Sequence, residues 1–296
     1  MTRTRGALPS LSFEFFPPHS PEAGVRLWKS VERLAPLDPR FVSVTYGAGG
    51  TTRDRTNAAI QTVVDRARLN VAGHLTCVGA TREETLEVAR GYARLGVRRI
   101  VALRGDPPKG AARFEPHPGG FASAEELVRG LQAVGDFEIA VAAYPEKHPE
   151  AASLASDIEN LKRKVDAGAG MAITQFFFDN QDFLRFRDAC VAAGIGVPIV
   201  PGILPVESFR KMVNFAARCQ ARVPEWMHRA YERADTVEDA YLLSVATATA
   251  QCDALIAEGV EHLHIYTLNN PDLPYDVCRA IGYVPAPLVA AEGGAA

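Results

Sequence analysis

The sequence is short of the features that announce a function. It has five cysteines in 296 residues, Cys77, Cys190, Cys219, Cys252 and Cys278, widely spaced and without a CxxC pair or a Cys/His run of zinc-finger spacing. That excludes a disulfide framework and a zinc ribbon and points to a reducing compartment. Charge of one sign is missing too: 32 Lys+Arg stand against 35 Asp+Glu, a formal net charge of −3. No global field therefore draws the chain to nucleic acid or to an anionic membrane. No stretch approaches the uninterrupted apolar length of a membrane span, and the basic start, Met1 to Ser10, has no apolar signal core behind it. Neither GxGxxG nor a Walker sequence is present. Gly47-Ala48-Gly49-Gly50 resembles a phosphate loop only loosely and reads equally well as a tight turn before a helix. These absences leave a cytoplasmic protein that works on small molecules, with no nucleic-acid or membrane partner.

What is present is a regular alternation. With 47% hydrophobic and 23% charged residues the chain has ample material for a core, which excludes disorder and low complexity. Eight short β-rich runs recur at Ser12–Phe16, Phe41–Tyr46, Ala72–Cys77, Arg99–Leu103, Glu138–Tyr144, Ala172–Phe178, Pro198–Leu204 and His262–Leu268. Helix-patterned segments separate them. Thr81 with Glu84 and Ser123 with Glu126 have capping-box spacing, and Ser20 precedes Pro21 at a first helical position. Gly96, Gly168, Gly194 and Gly259 each stand just before the next strand, where a left-handed residue ends a helix. Eight strand–helix units predict an α/β fold, a closed (β/α)8 TIM barrel, in preference to an open doubly wound sheet. One catalytic domain is expected over residues 1–296. The long interval after the seventh strand predicts extra helices, including one over Val237–Glu258, and the Pro/Gly-rich stretch Pro107–Gly120 predicts a mobile loop on the active-site face.

A barrel places its chemistry at the carboxyl ends of its strands. Those ends carry Glu14, Thr45 with Tyr46, His74 with Thr76, Arg104-Gly105-Asp106, Tyr144, Gln175, and Thr267 with Asn269. Glu14 lies in Phe-Glu-Phe-Phe-Pro-Pro, where desolvation is expected to raise its pKa and make it a general acid; an outward-facing Glu paired with Arg or Lys is the alternative. For Asp106 a structural ion pair with Arg104 is the alternative, but its position at the strand end favours function; Gln175, among aromatics, could be a satisfied core amide or a partner for a heterocycle edge. His262 and His264 share a strand face, but no third ligand has matching spacing, so no metal is expected. Lys162, Arg163 and Lys164, with Asp157 and Asn160, read either as a solvated helix face or as a pyrophosphate clamp replacing the absent glycine loop.

Taken in order, FEFFPP, FVSVTYGAGGTTRDRT, HLTC, IVALRGDPP, AAYPEKHPEA, ITQFFFD, PGILP and YTLN resemble the motifs of the 5,10-methylenetetrahydrofolate reductases, in their short bacterial form, from about Ser12 to about Asn269. The resemblance implies FAD, NADH or NADPH as electron donor, methylenetetrahydrofolate as hydride acceptor, a supply of methyl groups for methionine synthesis, and a homo-oligomer. It implies Glu14 as the general acid that protonates the folate amine, and Asp106 as the charge that tunes the flavin and stabilises cationic folate. Gln175 would contact folate and nicotinamide, with Thr45 and Phe215 around the nicotinamide. The residues matching FAD contacts are Tyr46, His74, Arg104, Gly105, Ala122, Tyr144, His148, Asp157, Asn160, Arg163 and Lys164. One site serving both substrates in turn implies ping-pong kinetics.

Two departures stand out. Asn270 occupies a position where the family commonly has a folate-holding arginine, which predicts weaker folate binding unless another cation such as Lys211 substitutes, and Phe121 stands where a tyrosine is often found. Other readings on the same residues are a flavoprotein with a different donor or acceptor, a non-catalytic folate or flavin carrier, and a metal-dependent barrel hydrolase.

Overall fold

The computed structural model describes residues 8–46, 53–107 and 114–286. The Gly47–Gly50 motif and residues 108–113 of the Pro/Gly-rich stretch lie outside them. Strands β1 (Ser10–Phe15), β2 (Phe41–Val44), β3 (Val71–Thr76), β4 (Arg99–Leu103), β5 (Glu138–Ala143) and β6 (Met171–Thr174) pair in parallel, each with the next. β9 (His262–Tyr266) pairs with β1. The seventh predicted strand is two short pieces, β7 (Ile199–Val200) and β8 (Gly202–Ile203), interrupted at Pro201. Proline has no N–H for the ladder. The first piece pairs with β6 and the second with β9, so this broken strand closes the barrel. Gly202 makes closure possible, because a Cβ there would lie 2.2 Å from the Thr174 carbonyl oxygen and against the Tyr266 ring.

Helices α1 (Pro21–Leu34), α2 (Arg53–Thr62), α3 (Arg82–Arg94), α4 (Ala124–Gln132), α5 (Leu154–Asp166) and α6 (Asn180–Ala192) follow the first six strands. Three helices, α7 (Phe209–Cys219), α8 (Glu225–Glu232) and α9 (Val237–Ala257), precede β9, and α10 (Asp272–Ile281) ends the fold. The caps are those the sequence predicts. Ser20 accepts from the Ala23 N–H with Pro21 behind it, and Thr81 and Glu84 form a reciprocal capping box. Ser123 caps α4, but Glu126 turns away from a box to pair with Arg82 and accept from the Ala122 N–H. Gly96, Gly168, Gly194 and Gly259 all have positive φ. α9 is long and apolar enough by length and composition to cross a membrane; in this fold it lies along α10 and touches α6 and α8.

The strand pleat sorts the core. Leu11, Phe13 and Phe15 of β1 point outward into the cluster between sheet and helices, while Ser12 and Glu14 point into the barrel. One side of the barrel interior is apolar, with Phe41, Ala72, Val101, Ala140, Ile173 and Val200 packed together. The other is polar, lined by β1 and β9. A third apolar cluster, built on Phe176, Leu204, Val206, Met212, Ala216 and Met227, joins α7 and α8 to the ends of β6 and β8. Phe121 belongs to the main core, with its ring against Gly130 and beneath the Arg82 guanidinium.

Candidate active site

Several strands end earlier than their apolar runs, and the residues left over form the site. Thr45 and Tyr46 lie just past β2, Tyr144 just past β5, and Gln175 just past β6. Their backbones are still held at the rim: the Thr45 N–H donates to the Phe15 carbonyl and the Gln175 N–H to the Ala143 carbonyl. The side chains released from the ladder face a cavity of about 980 Å³, open mouth included, at the carboxyl end of the barrel. Glu14, Thr45, Tyr46, His74, Asp106, Tyr144, Gln175 and Phe215 all line it. Residues from seven separate segments of sequence thus converge on one space of the size that holds a cofactor and a small substrate.

Glu14 faces inward, which removes the outward ion-pair alternative. The expected rise in its pKa is not found: the carboxyl is held at about 2. Burial does push it up, and that is the largest single influence, but the His74 charge and contacts to His264 and His74 together outweigh it. His74 Nε2 stands 3.3 Å from Glu14 Oε2, off line for a hydrogen bond, and His264 Nε2 stands 3.5 Å away. The aromatic and proline neighbours along the chain favour a raised value but supply no counter-charge. The controlling partners arrive from β3 and β9. His74 is in turn fixed by Tyr92 of α3, whose ring covers Gly73 and whose hydroxyl donates to the His74 carbonyl.

The two histidines of β9 hold a hydroxyl between them. Ser12 Oγ lies 2.8 Å from His262 Nε2 and 2.7 Å from His264 Nδ1, all three buried, with the Phe41 ring against both imidazoles. Burial first, then His264 and the cations Arg40 and Arg99, push His262 down to about 3, so it is neutral. No group of three His, Cys, Asp or Glu side chains among the described residues has metal-holding geometry.

Arg104 leaves the strand end sideways. Its guanidinium pairs with Glu150 at 2.6 Å and lies over the Phe114 ring, so the local ion pair suggested for Asp106 is replaced by a link to the next loop. Asp106 is left facing the cavity. Gly105 has φ +89 and a Cβ would meet Val78 at 2.7 Å, so this turn requires glycine, whose missing side chain makes room for Val78. Gln175 uses its Oε1 to accept from the Phe176 N–H, which leaves the amide nitrogen for a ligand. Tyr144 packs edge-on against the His148 ring, 4.7 Å between centroids. Burial, then Asp106 and Asp157, hold the Tyr144 phenol well above its usual range.

The basic cluster of α5 divides. Lys162 is a solvated residue paired with Asp166. Arg163 sits half-exposed among Asn160, Glu125 and Glu159. Lys164 is buried, donating from Nζ to the Ala142 carbonyl, and burial pushes its ammonium down to about 8 against the pull of Asp157. Asp157 accepts from the His148 N–H and so fixes the loop after β5. Ala122 stands at the start of α4, and Lys211 is exposed on α7. Asn270 accepts from the Asp272 N–H at 3.4 Å, at the entry to α10. None of these last residues lines the cavity.

Several wall residues escape notice in the sequence. Phe16, Leu103, Phe176, Tyr266 and Leu268 also line the cavity, with Val101, Ala142 and Ile173 from the strands. Phe176 stacks on Phe215 at 5.2 Å, and the Tyr266 hydroxyl donates to the Thr174 carbonyl. Strand parity alone would have found Ser12, His264 and Tyr266, since each shares a face with Glu14 or its β9 partner. Asn269, at φ +58, pins the rim by accepting from the Phe16 N–H and donating to its carbonyl.

Comparisons with known proteins bear on the family. The family model described as methylenetetrahydrofolate reductase matches residues 3–282. The 5,10-methylenetetrahydrofolate reductases of Salmonella typhimurium and Escherichia coli K12 are 49% and 48% identical, each over 93% of this chain and 92% of their own length. Methylenetetrahydrofolate reductase (NADH) 1 of Arabidopsis thaliana is 38% identical over 93% of this chain and 48% of its own. Among solved structures, a Clostridium thermocellum protein that binds two copies of 5-methyl-5,6,7,8-tetrahydrofolic acid shares the fold, with a TM-score of 0.60 and 14% identity over 92% of this chain and 94% of that one. The barrel, the cavity at its carboxyl rim and the match over nearly the whole sequence lead to one conclusion: this chain belongs to the methylenetetrahydrofolate reductase family.

Proposed function

We propose that the chain reduces 5,10-methylenetetrahydrofolate to 5-methyltetrahydrofolate with NAD(P)H, through a bound FAD, and so supplies methyl groups for methionine synthesis. The observation that carries this reading is the convergence of Glu14, Asp106 and Gln175 on one cavity. The residues present fit a flavin. Leu103 and Tyr144 give the cavity an aliphatic and an aromatic wall, and two cations adjoin lining residues: Arg104 follows Leu103 and the buried Lys164 bonds the Ala142 carbonyl. Tyr46, His74, Tyr144 and His148 would hold the ring and ribose region. Ala122, Asp157, Asn160, Arg163 and Lys164 would hold the phosphates and adenosine. When bound, FAD supplies a store for one hydride between the two half-reactions.

The protein supplies a proton, a charge and an orientation. Glu14 Oε2 gives a proton to the folate amine, so that the imidazolidine C–N bond opens and the one-carbon unit becomes electrophilic. Because Glu14 is held ionised in the free site by the imidazoles beside it, it must take up that proton before it can act as the acid. Asp106 stabilises the cation that develops on folate. Gln175 turns its free amide nitrogen to the pterin or to the nicotinamide, and Thr45 and Phe215 flank the latter. Lys211 and Asn270, which lie outside the cavity lining, are the candidates for the folate tail. The reading extends to a cytoplasmic homo-oligomer.

One cavity cannot hold both substrates against the same face at once, so they bind in turn. Initial rates against NADH at several fixed methylenetetrahydrofolate concentrations should give parallel double-reciprocal lines. Intersecting lines would exclude the shared site.

A further inference from the structure

Helices α7 and α8 sit over the mouth of the barrel on their own apolar cluster, apart from the main core. α7 carries Phe215 into the cavity wall and ends at Gln220, in the left-handed region at φ 55. Arg222 follows at once. Its guanidinium Nη2 bonds Asp179 at 3.0 Å and Asp182 at 2.7 Å, and its backbone N–H donates to both Glu146 oxygens, at 3.0 and 3.2 Å. Glu146 and Asp179 belong to the two loops that carry the other cavity residues, and Asp182 sits in the first turn of α6. Glu146 lies two residues after Tyr144, and Asp179, the N-cap of α6, lies four after Gln175. We propose that Arg222 is a positioning residue: it clasps the end of α7 to the β5 and β6 loops and thereby sets Phe215 against Phe176 at the nicotinamide end of the site. The inference rests on the function proposed above.

An isolated surface ion pair would do little. This cluster differs in two respects. Glu146 and Asp182 are largely covered, with side-chain exposures of 16% and 12%. In addition, three carboxylates face two cations, Arg222 and Arg185, the second of which pairs with Asp182. Removing Arg222 leaves three like charges around one arginine, so the cluster would push its loops apart instead of merely losing a bond. Burial and the charges of Asp182 and Asp179 already hold the Glu146 carboxyl above its ordinary range, which reports the crowding that Arg222 relieves. Phe215 is tied to the barrel chiefly by its stacking on Phe176, so loosening the end of α7 translates into a displaced ring in the donor site.

The test is anaerobic stopped-flow reduction of the FAD-loaded protein by NADH, in wild type, Arg222→Gln, Arg222→Lys, Phe215→Ala and the double variant Arg222→Gln/Phe215→Ala. Arg222→Gln should raise the half-saturating NADH concentration about tenfold, equivalent to about 1.4 kcal/mol, and change the limiting reduction rate less than about twofold. Arg222→Lys should recover most of the loss. In the double variant, Arg222→Gln should add nothing beyond Phe215→Ala, because one residue acts through the other. Amide hydrogen exchange of the same proteins, with and without FAD, should show faster exchange in Phe209–Cys219 of Arg222→Gln and unchanged exchange in Val237–Ala257. Additive effects, an unchanged half-saturation, or unaltered exchange in α7 would overturn the clasp. If wild type itself is not reduced by NADH, the proposed function fails and the exchange data alone decide the clasp.

Discussion

The two halves of the barrel rim are built differently. On the β1–β5 side the chemical groups are residues of strand ends or of turns locked to them: Glu14 within β1, His74 within β3 under Tyr92, and Asp106 after a glycine that nothing else can replace. On the opposite side the wall is aromatic. Phe176, Phe215 and Tyr266 belong to a separate apolar cluster, and α7 is joined to the neighbouring loops by the charges around Arg222. On the function proposed above, proton transfer, which tolerates little misplacement, falls to the side built from strand ends. Two substrates that bind in turn, as proposed, would meet the aromatic side carried by helices.

The sharpest way to break this division is Glu14→Gln. It should lower folate reduction by at least about a thousandfold, the scale of a lost general acid, while FAD binding and flavin reduction by NADH stay close to wild type. Surviving folate turnover would remove the acid from the strand-end side. Next in size is Gly202→Ala, where the added methyl meets the Thr174 carbonyl at the closure of the barrel. It should cost about 1–3 kcal/mol of stability and disturb Tyr266, read as a lower urea midpoint together with slower turnover.

Acid stability separates the halves in another way. A carboxyl whose folded pKa lies below its unfolded value stabilises the fold fully above that unfolded value and loses its contribution as pH falls through the folded one. Glu14 goes from an ordinary 4.5 to about 2. Wild type should therefore lose stability between about pH 5 and pH 2 more steeply than Glu14→Gln, in urea titrations at a series of pH values; equal slopes would mean that the histidines do not hold the charge. The smallest effect is expected at the cap. Thr236 and Asp239 form the capping box of α9, and Thr236→Ala should cost about 1 kcal/mol and leave both half-reactions unchanged, since nothing on that turn reaches the cavity.

The sequence made the barrel readable because each unit carries its own punctuation: alternating apolar strands, Ser or Thr at helix starts, and a left-handed glycine at four helix ends. The broken seventh strand was not readable. Pro201 interrupts it, but only the pairing of its halves with β6 and β9 shows that the break is the seam. The site was legible to the extent that it consists of residues at strand ends, hence Glu14, His74, Asp106, Tyr144 and Gln175. What failed was the environment of Glu14. Local neighbours predict a desolvated acid, whereas the partners that set its charge are His74 and His264, distant in sequence and brought in by the register of β3 and β9. The clasp was hidden for the same reason, since Glu146, Asp179, Asp182 and Arg222 are ordinary surface charges until three loops meet.

The most direct test of the central claim is the visible absorption spectrum of the purified protein, reconstituted with FAD and held anaerobically, recorded before and after NADH and again after methylenetetrahydrofolate. A flavin band that bleaches with NADH and returns on adding folate would show cofactor, donor and acceptor meeting in one cavity. A protein that takes up no flavin, or a reduced flavin that folate leaves unchanged, would contradict the account.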